Sequence, residues 1–202
     1  MIVIGVTGGV GTGKSTIARV FAEHLHAQVL DADRITHQLM RPRTAVWCRI
    51  RARFGKQVLA RDGSIDRKKL GALAFGRPAR IRELSRIIHP AVRRRIRERL
   101  QKIRRRNPNG AAVLDIPLLL EAGVVYRVDA LVVASASLSV AARRLKSRSG
   151  WSLVQVKKRQ SFQMPLRKKE QLADFVVKNS GSLAATRRQV ATICRQIIKE
   201  KG

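Results

Sequence analysis

Apolar residues along this chain alternate between short unbroken runs and stripes at helical spacing. Residues 1–7 form a run rich in β-branched side chains, with Ile2, Val3, Ile4 and Val6, and predict a buried strand. Ile17, Ala18, Phe21, Ala22 and Leu25 then recur at helical spacing and predict a helix over 16–25. Val29 and Leu30 end a second strand, with Asp31-Ala32-Asp33 at its carboxyl end. If the strand persists that far, Asp31 and Asp33 point the same way.

No strand pattern of note follows between 34 and about 108. Helices are expected over 34–39, with one aspartate capping, and over 44–54, with Val46, Ile50 and Phe54 on one face and Gly55 at the end. Asp62-Gly63-Ser64 is a turn, and Asp66 caps a helix over 67–75. Another helix spans 78–88. Pro90 biases His89 away from the helical region and predicts a break. From 91 the stripe Val92, Ile96, Leu100 and Ile103 predicts a further helix, which Asn107-Pro108-Asn109-Gly110 ends.

Strand patterns then return. Residues 111–115 form an apolar run ending in Asp115, and Glu121 follows as a cleft group or a helix cap. Residues 130–136 make another buried strand. Ser137 caps a helix to about 148, which Ser149-Gly150 stops. Ser152 and Gln155 form a capping box for a helix to about 163, which Met164-Pro165 ends. Residues 175–177 are a last strand. Ser182 caps a terminal helix whose stripe is Leu183, Val190, Ile193 and Ile197. Strands alternating with helices predict an α/β domain with a parallel central sheet flanked by helices. The strandless block is a helical excursion from it, and the two short basic helices form a lid.

The turn between the first strand and helix carries the chemistry. Gly8, Gly13, Lys14 and Ser15 fit the phosphate-loop spacing of Gly, four residues, Gly, Lys and Ser or Thr. Such a loop needs several backbone N–H groups aimed into one cavity, and side chains there would block the phosphate. The helix N-terminus adds unpaired donors and partial positive charge. The amides of Gly11, Thr12, Gly13, Lys14, Ser15 and Thr16 form the cradle for ATP. Lys14 reaches the outer phosphates, and the Ser15 hydroxyl coordinates magnesium. Asp115 stands where an open parallel sheet places ligand-facing acids, which makes it a metal-shell candidate with Ser15. A carboxylate at 31 or 33 stands where it can accept the proton of a hydroxyl nucleophile. Arg143, Arg144 and Arg148 lie on the lid helix, and Arg144 and Arg148, four apart, share a face.

Composition bounds the rest. A chain of 202 residues with 45% hydrophobic content suits one domain, and 4% aromatics predicts an aliphatic core. No stretch is long and apolar enough to cross a bilayer, Met1 leads directly into a strand, and Cys48 and Cys194 lack metal spacing. These features point to the cytoplasm. The net charge of +30 comes from 43 Lys and Arg against 13 Asp and Glu, with runs at 93–95 and 104–106. No nucleic-acid recognition motif accompanies it, so weak, salt-sensitive binding to polyanions is expected rather than specific nucleic-acid recognition. The residues leave open a nucleoside or nucleotide kinase and a nucleic-acid-binding ATPase. A regulatory GTPase would need an Asn-Lys-x-Asp element to read guanine, and the sequence has none.

Taken together, the blocks resemble the bacterial dephospho-coenzyme A kinase family over nearly the whole length. The resemblance rests on residues 5–16, Asp31-Ala32-Asp33, Phe54-Gly55, residues 62–67, His89-Pro90 and residues 115–121. It continues through Arg144-Leu145 with Arg148, Arg159, Gln163-Met164-Pro165-Leu166, residues 173–177 and Asn179-Ser180-Gly181-Ser182. It implies a P-loop NTPase fold with three parts: a core of about 1–33, 110–136 and 170–202, a helical coenzyme A-binding part over about 34–109, and a lid over about 137–169. It also implies transfer of the ATP γ-phosphate to the ribose 3′-hydroxyl of dephospho-coenzyme A, with magnesium. Asp33 becomes the candidate base, Lys14 and Arg144 its catalytic companions, and His89 a substrate-binding residue. Where the family often has a proline and a glutamine before the lid helix, this chain has Ser135-Ala136-Ser137-Leu138-Ser139-Val140-Ala141.

Overall fold

The computed structural model describes residues 1–74, 77–117, 119–120 and 127–201. Glu121 and the expected helix end at Phe75 therefore lie outside the described residues. The chain divides into two units, one of Met1–Asp31 with Lys102–Gly202 and one of Ala32–Gln101.

The first unit is built on five parallel strands. They are β1 (Ile2–Gly8), β2 (Gln28–Asp31), β3 (Ala111–Asp115), β4 (Ala130–Ser135) and β5 (Phe175–Lys178), in the order β2-β3-β1-β4-β5. A parallel sheet is covered on both faces, so its strands carry unbroken apolar runs. All of β3 is buried, as is β1 after Ile2. Register brings the carboxyl ends to one edge: Val6 and Asp31 both pair with Asp115, Gly8 pairs with Ala134, and Ser135 with Lys178.

Helices α1 (Lys14–Leu25) and α9 (Leu183–Lys201) bury their apolar stripes in the main core. Ile17, Phe21, Val190 and Ile197 meet Ile4, Val113, Val132 and Val177 there, an almost wholly aliphatic packing. Ser182 caps α9 as expected, its hydroxyl accepting from the Ala185 amide. Leu183 does not join the stripe: it is 51% exposed, and Thr186 is buried in its turn instead.

Three further helices complete this unit. Helix α6 (Leu138–Ser149) begins at the Ser137 cap and stops at Gly150 in the left-handed region. Helix α7 (Leu153–Gln160) carries the expected capping box but ends three residues early. Helix α8 (Leu166–Gln171) is new. With six residues it is too short to show an apolar period.

The second unit holds α2 (Ala32–Leu39), α3 (Ala45–Phe54), α4 (Arg67–Ala74) and the first part of α5 (Pro78–Arg106). Thr44 caps α3, and the Asp66 carboxylate caps α4 through the Lys68 and Lys69 amides. Two expectations are corrected here. Helix α2 starts at Ala32, so the strand ends before Asp33 and the alternation linking Asp31 to Asp33 does not apply. The expected break at His89-Pro90 is also absent, since α5 runs through Pro90. Leu84, Ile87 and Ile88 before the proline and Ala91 after it pack on one cluster around Ile50, Phe54 and Leu70. Burial on both sides holds the helix together against the lost backbone bond. Among the described residues no helix is long and apolar enough to cross a membrane.

Candidate active site

Buried polar groups are costly unless hydrogen-bonded, so their positions mark where a fold keeps chemistry. Among the described residues six polar or charged side chains are buried: Thr7, Thr12, Asp115, Lys169, Asn179 and Thr186. All six lead to the turn between β1 and α1. Thr12 Oγ1 donates to the Gly9 carbonyl at 2.8 Å. Asn179 Nδ2 donates to the Thr12 carbonyl at 2.8 Å, and Thr186 Oγ1 donates to Asn179 Oδ1 at 2.9 Å. Lys169 Nζ bonds the Gly8 carbonyl, and Thr7 Oγ1 bonds the Pro117 carbonyl beside it. Asp115 holds Lys14: Nζ lies 2.5 Å from Oδ1.

The loop itself is set for an anion. Gly13 precedes α1 in the left-handed region, φ 84°, with no side-chain cap. Any side chain at Gly13 would strike Asn179 Nδ2, only 2.1 Å from where a Cβ would stand. No side chain caps the start of α1 and no acidic side chain occupies its first turn, although the Thr16 amide already donates to the Gly13 carbonyl at 3.0 Å. Ser15 is exposed at that start. Arg144, half-buried on α6, reaches the Thr12 carbonyl at 3.4 Å, while Arg143 and Arg148 are exposed. The Lys14–Asp115 pair is largely shielded, with side-chain exposures of 13% and 3%.

Magnesium fits this donor set. It takes one or two protein oxygens and fills its remaining positions with phosphate and water. The Ser15 hydroxyl and the strand-end carboxylates of Asp31 and Asp115, register partners on adjacent strands, are oxygen donors of that kind. Among the described residues no group of three or more His, Cys, Asp or Glu forms a protein-only cage.

The first unit therefore brings together Gly11, Thr12, Gly13, Lys14, Ser15, Thr16, Asp115 and Arg144. Asp33 and His89 belong to the second unit. Asp33 is exposed in the first turn of α2, the turn that follows directly on β2. His89 is half-buried within α5. Burial, with Arg93 adding to it, pushes its pKa below the ordinary imidazole value, so it is neutral near pH 7.

Sequence reasoning missed Lys169. In Arg167-Lys168-Lys169-Glu170 nothing separates it from a solvated charge run. Asn179 had a signal, because it follows the last strand at the ligand-bearing edge.

The family model described as dephospho-CoA kinase matches residues 2–185. The chain belongs to the dephospho-CoA kinase family. It is 42% identical over 190 residues to the dephospho-CoA kinase of Leifsonia xyli subsp. xyli, covering 94% of this chain and 96% of the relative. It is 39% identical over 194 residues to that of Carboxydothermus hydrogenoformans, covering 96% and 93%. Among solved structures it resembles TT1252 from Thermus thermophilus, with TM-score 0.82, 33% identity and coverage of 96% and 97%. It also resembles the dephospho-CoA kinase from Campylobacter jejuni, with TM-score 0.69, 28% identity and coverage of 99% and 98%. As a member of the dephospho-CoA kinase family the chain is a kinase, and its parallel sheet with the loop at the carboxyl edge is the P-loop fold.

Proposed function

We propose that this chain transfers the γ-phosphoryl group of ATP to the ribose 3′-hydroxyl of dephospho-coenzyme A, giving coenzyme A and ADP. The observation that carries the reading is the braced loop of the first unit, with Lys14 at its heart, in a chain of this family. Phosphoryl transfer asks for positioning and charge stabilisation more than covalent chemistry, and a rigid amide cradle provides both.

The residues divide the work. The amides of Gly11 through Thr16 hold the polyphosphate, and Lys14 exchanges Asp115 for the outer phosphates. Asp33 orients the acceptor hydroxyl and takes its proton. Arg144 neutralises charge on the transferring group, and Arg148 on the same helix assists. His89, neutral, donates or accepts a hydrogen bond to the coenzyme A moiety. Ser15 and Asp115 would hold magnesium, which when bound offsets negative charge on the phosphates.

In this reading the substrate-binding part spans about 34–109 and the lid about 137–169, closing to exclude water. A cytoplasmic location accords with the two free thiols, Cys48 and Cys194. The test is an acceptor panel. ADP should appear with dephospho-coenzyme A and not with nucleosides, nucleoside monophosphates or DNA. Equal turnover with a nucleoside monophosphate, or turnover stimulated by DNA alone, contradicts the assignment.

A further inference from the structure

Thr186 opens the buried stripe of α9, ahead of Val190, Ile193, Cys194 and Ile197. It is wholly buried, and a valine has nearly the same shape, yet the residue carries a hydroxyl. That hydroxyl has one proton to donate. The Ser182 carbonyl, 3.3 Å away, already accepts from the Thr186 amide at 3.1 Å. Asn179 Oδ1 is closer, at 2.9 Å, and is the better acceptor for it.

The direction of these bonds is fixed from the other end. The Thr12 carbonyl only accepts, so Asn179 must turn Nδ2 toward it, and does so at 2.8 Å. Oδ1 is left facing Thr186, which must donate. The Asn179 backbone is also held, its amide donating to the Ser135 carbonyl at 2.7 Å, at the end of β4. Nδ2 fills the space that a side chain at Gly13 would need. In a trans peptide the C=O and N–H point opposite ways, so fixing the Thr12 carbonyl aims the Gly13 N–H. Arg144 Nη1 reaches the same carbonyl at 3.4 Å, but an arginine assigned to the transferring phosphate cannot also hold the loop.

We propose that Thr186 and Asn179 are positioning residues that act in series on the phosphate loop. Thr186 keeps the Asn179 amide from rotating, Asn179 fixes the Thr12–Gly13 peptide, and the Gly13 N–H is held ready for the polyphosphate. The start of α9 thereby sets the nucleotide site through Thr186, which is buried away from any ligand. The inference rests on the reading that this loop binds ATP. An amide aimed in advance need not be ordered when the ligand arrives, so the gain falls on nucleotide affinity.

The test compares Thr186→Val, which keeps the shape and loses the hydroxyl, with Thr186→Ser, which keeps the hydroxyl and loses a methyl. Thr186→Val is also made together with Asn179→Ala. ATP binding is measured by calorimetry, alongside thermal unfolding and the KM for dephospho-coenzyme A. Thr186→Val should weaken ATP binding about five- to tenfold, as for loss of one buried hydrogen bond, with the KM for dephospho-coenzyme A within about twofold of the parent. Thr186→Ser should stay within about twofold in both, although it fills the site less well. With Asn179→Ala already present, Thr186→Val should cost no further affinity, because residues acting through one another are not additive. A packing role alone predicts the reverse order, with serine the weaker. If Thr186→Val or the double variant does not fold, Asn179→Asp decides: it keeps the acceptor for Thr186, loses the donor to the loop and should weaken ATP binding at least as much. In a folded protein, ATP affinity of Thr186→Val or Asn179→Asp within about twofold of the parent, a serine variant as weak as the valine one, or an undiminished valine effect without Asn179 overturns the proposal. Failure of the parent chain to bind ATP would instead overturn the functional reading beneath it.

Discussion

Lys14 and Asp115 show how much one pair can hold. The ammonium is largely shielded and its carboxylate partner almost completely so. Lys14→Ala removes a preorganised cation, and kcat should fall on the order of 100-fold or more. It also leaves a buried carboxylate alone, so chemical denaturation should show a loss of about 3–5 kcal/mol. Lys14→Ala with Asp115→Asn should regain most of that stability and none of the rate. Asp33→Asn should cut kcat with little change in the KM for dephospho-coenzyme A. Near-parental turnover would remove Asp33 from the chemistry. At this scale the sequence was legible wherever spacing encodes function: Gly8, Gly13, Lys14 and Ser15 declare themselves. Lys169 did not, because its burial comes from the tertiary placement of α8. Leu183 failed for the converse reason, an apolar side chain at a helix start that stays half exposed.

Among the elements, the strands were legible because short apolar runs bounded by turns leave few alternatives, and four of the caps lay in plain view at Asp66, Ser137, Ser152 and Ser182. Helix α5 was not. A local bias at Pro90 lost to apolar contacts on both sides of it, and contacts of that kind are invisible along the chain. Pro90→Ala restores the missing N–H and should stabilise the protein by about 1–2 kcal/mol, after allowing for a more flexible unfolded chain. Denaturant titration checks this, and a loss of stability would show that the proline shape is needed. His89 on the same helix gives a pH signature. Its folded-state pKa is lowered, so the unfolded chain binds its proton more readily. Its contribution is therefore complete above about pH 6.5 and is lost as pH falls through the lower folded value. His89→Gln should flatten the stability profile between pH 7 and 5, and an unchanged slope would contradict the assignment.

Taken whole, the molecule carries a charge of +30, far more than its phosphorylated substrates require. Much of it lies on α5, where Arg94 and Arg95 share Glu98 and most other arginines face solvent. Binding to heparin or DNA should be measurable at low salt and fall steeply as salt rises. Affinity that persists at high salt would point to specific recognition instead. The cysteines should separate cleanly. Cys48 is exposed and should react with a thiol reagent in the native protein, while burial pushes the Cys194 thiol up to about 11 and should protect it until unfolding.

The most direct test of the whole account is the product itself. The chain is incubated with ATP, magnesium and dephospho-coenzyme A, and the products are resolved by mass spectrometry and phosphorus NMR. The account predicts equal amounts of ADP and coenzyme A, with the new phosphomonoester on the ribose 3′-oxygen. ATP hydrolysis without coenzyme A, or a phosphate on any other oxygen, would contradict it.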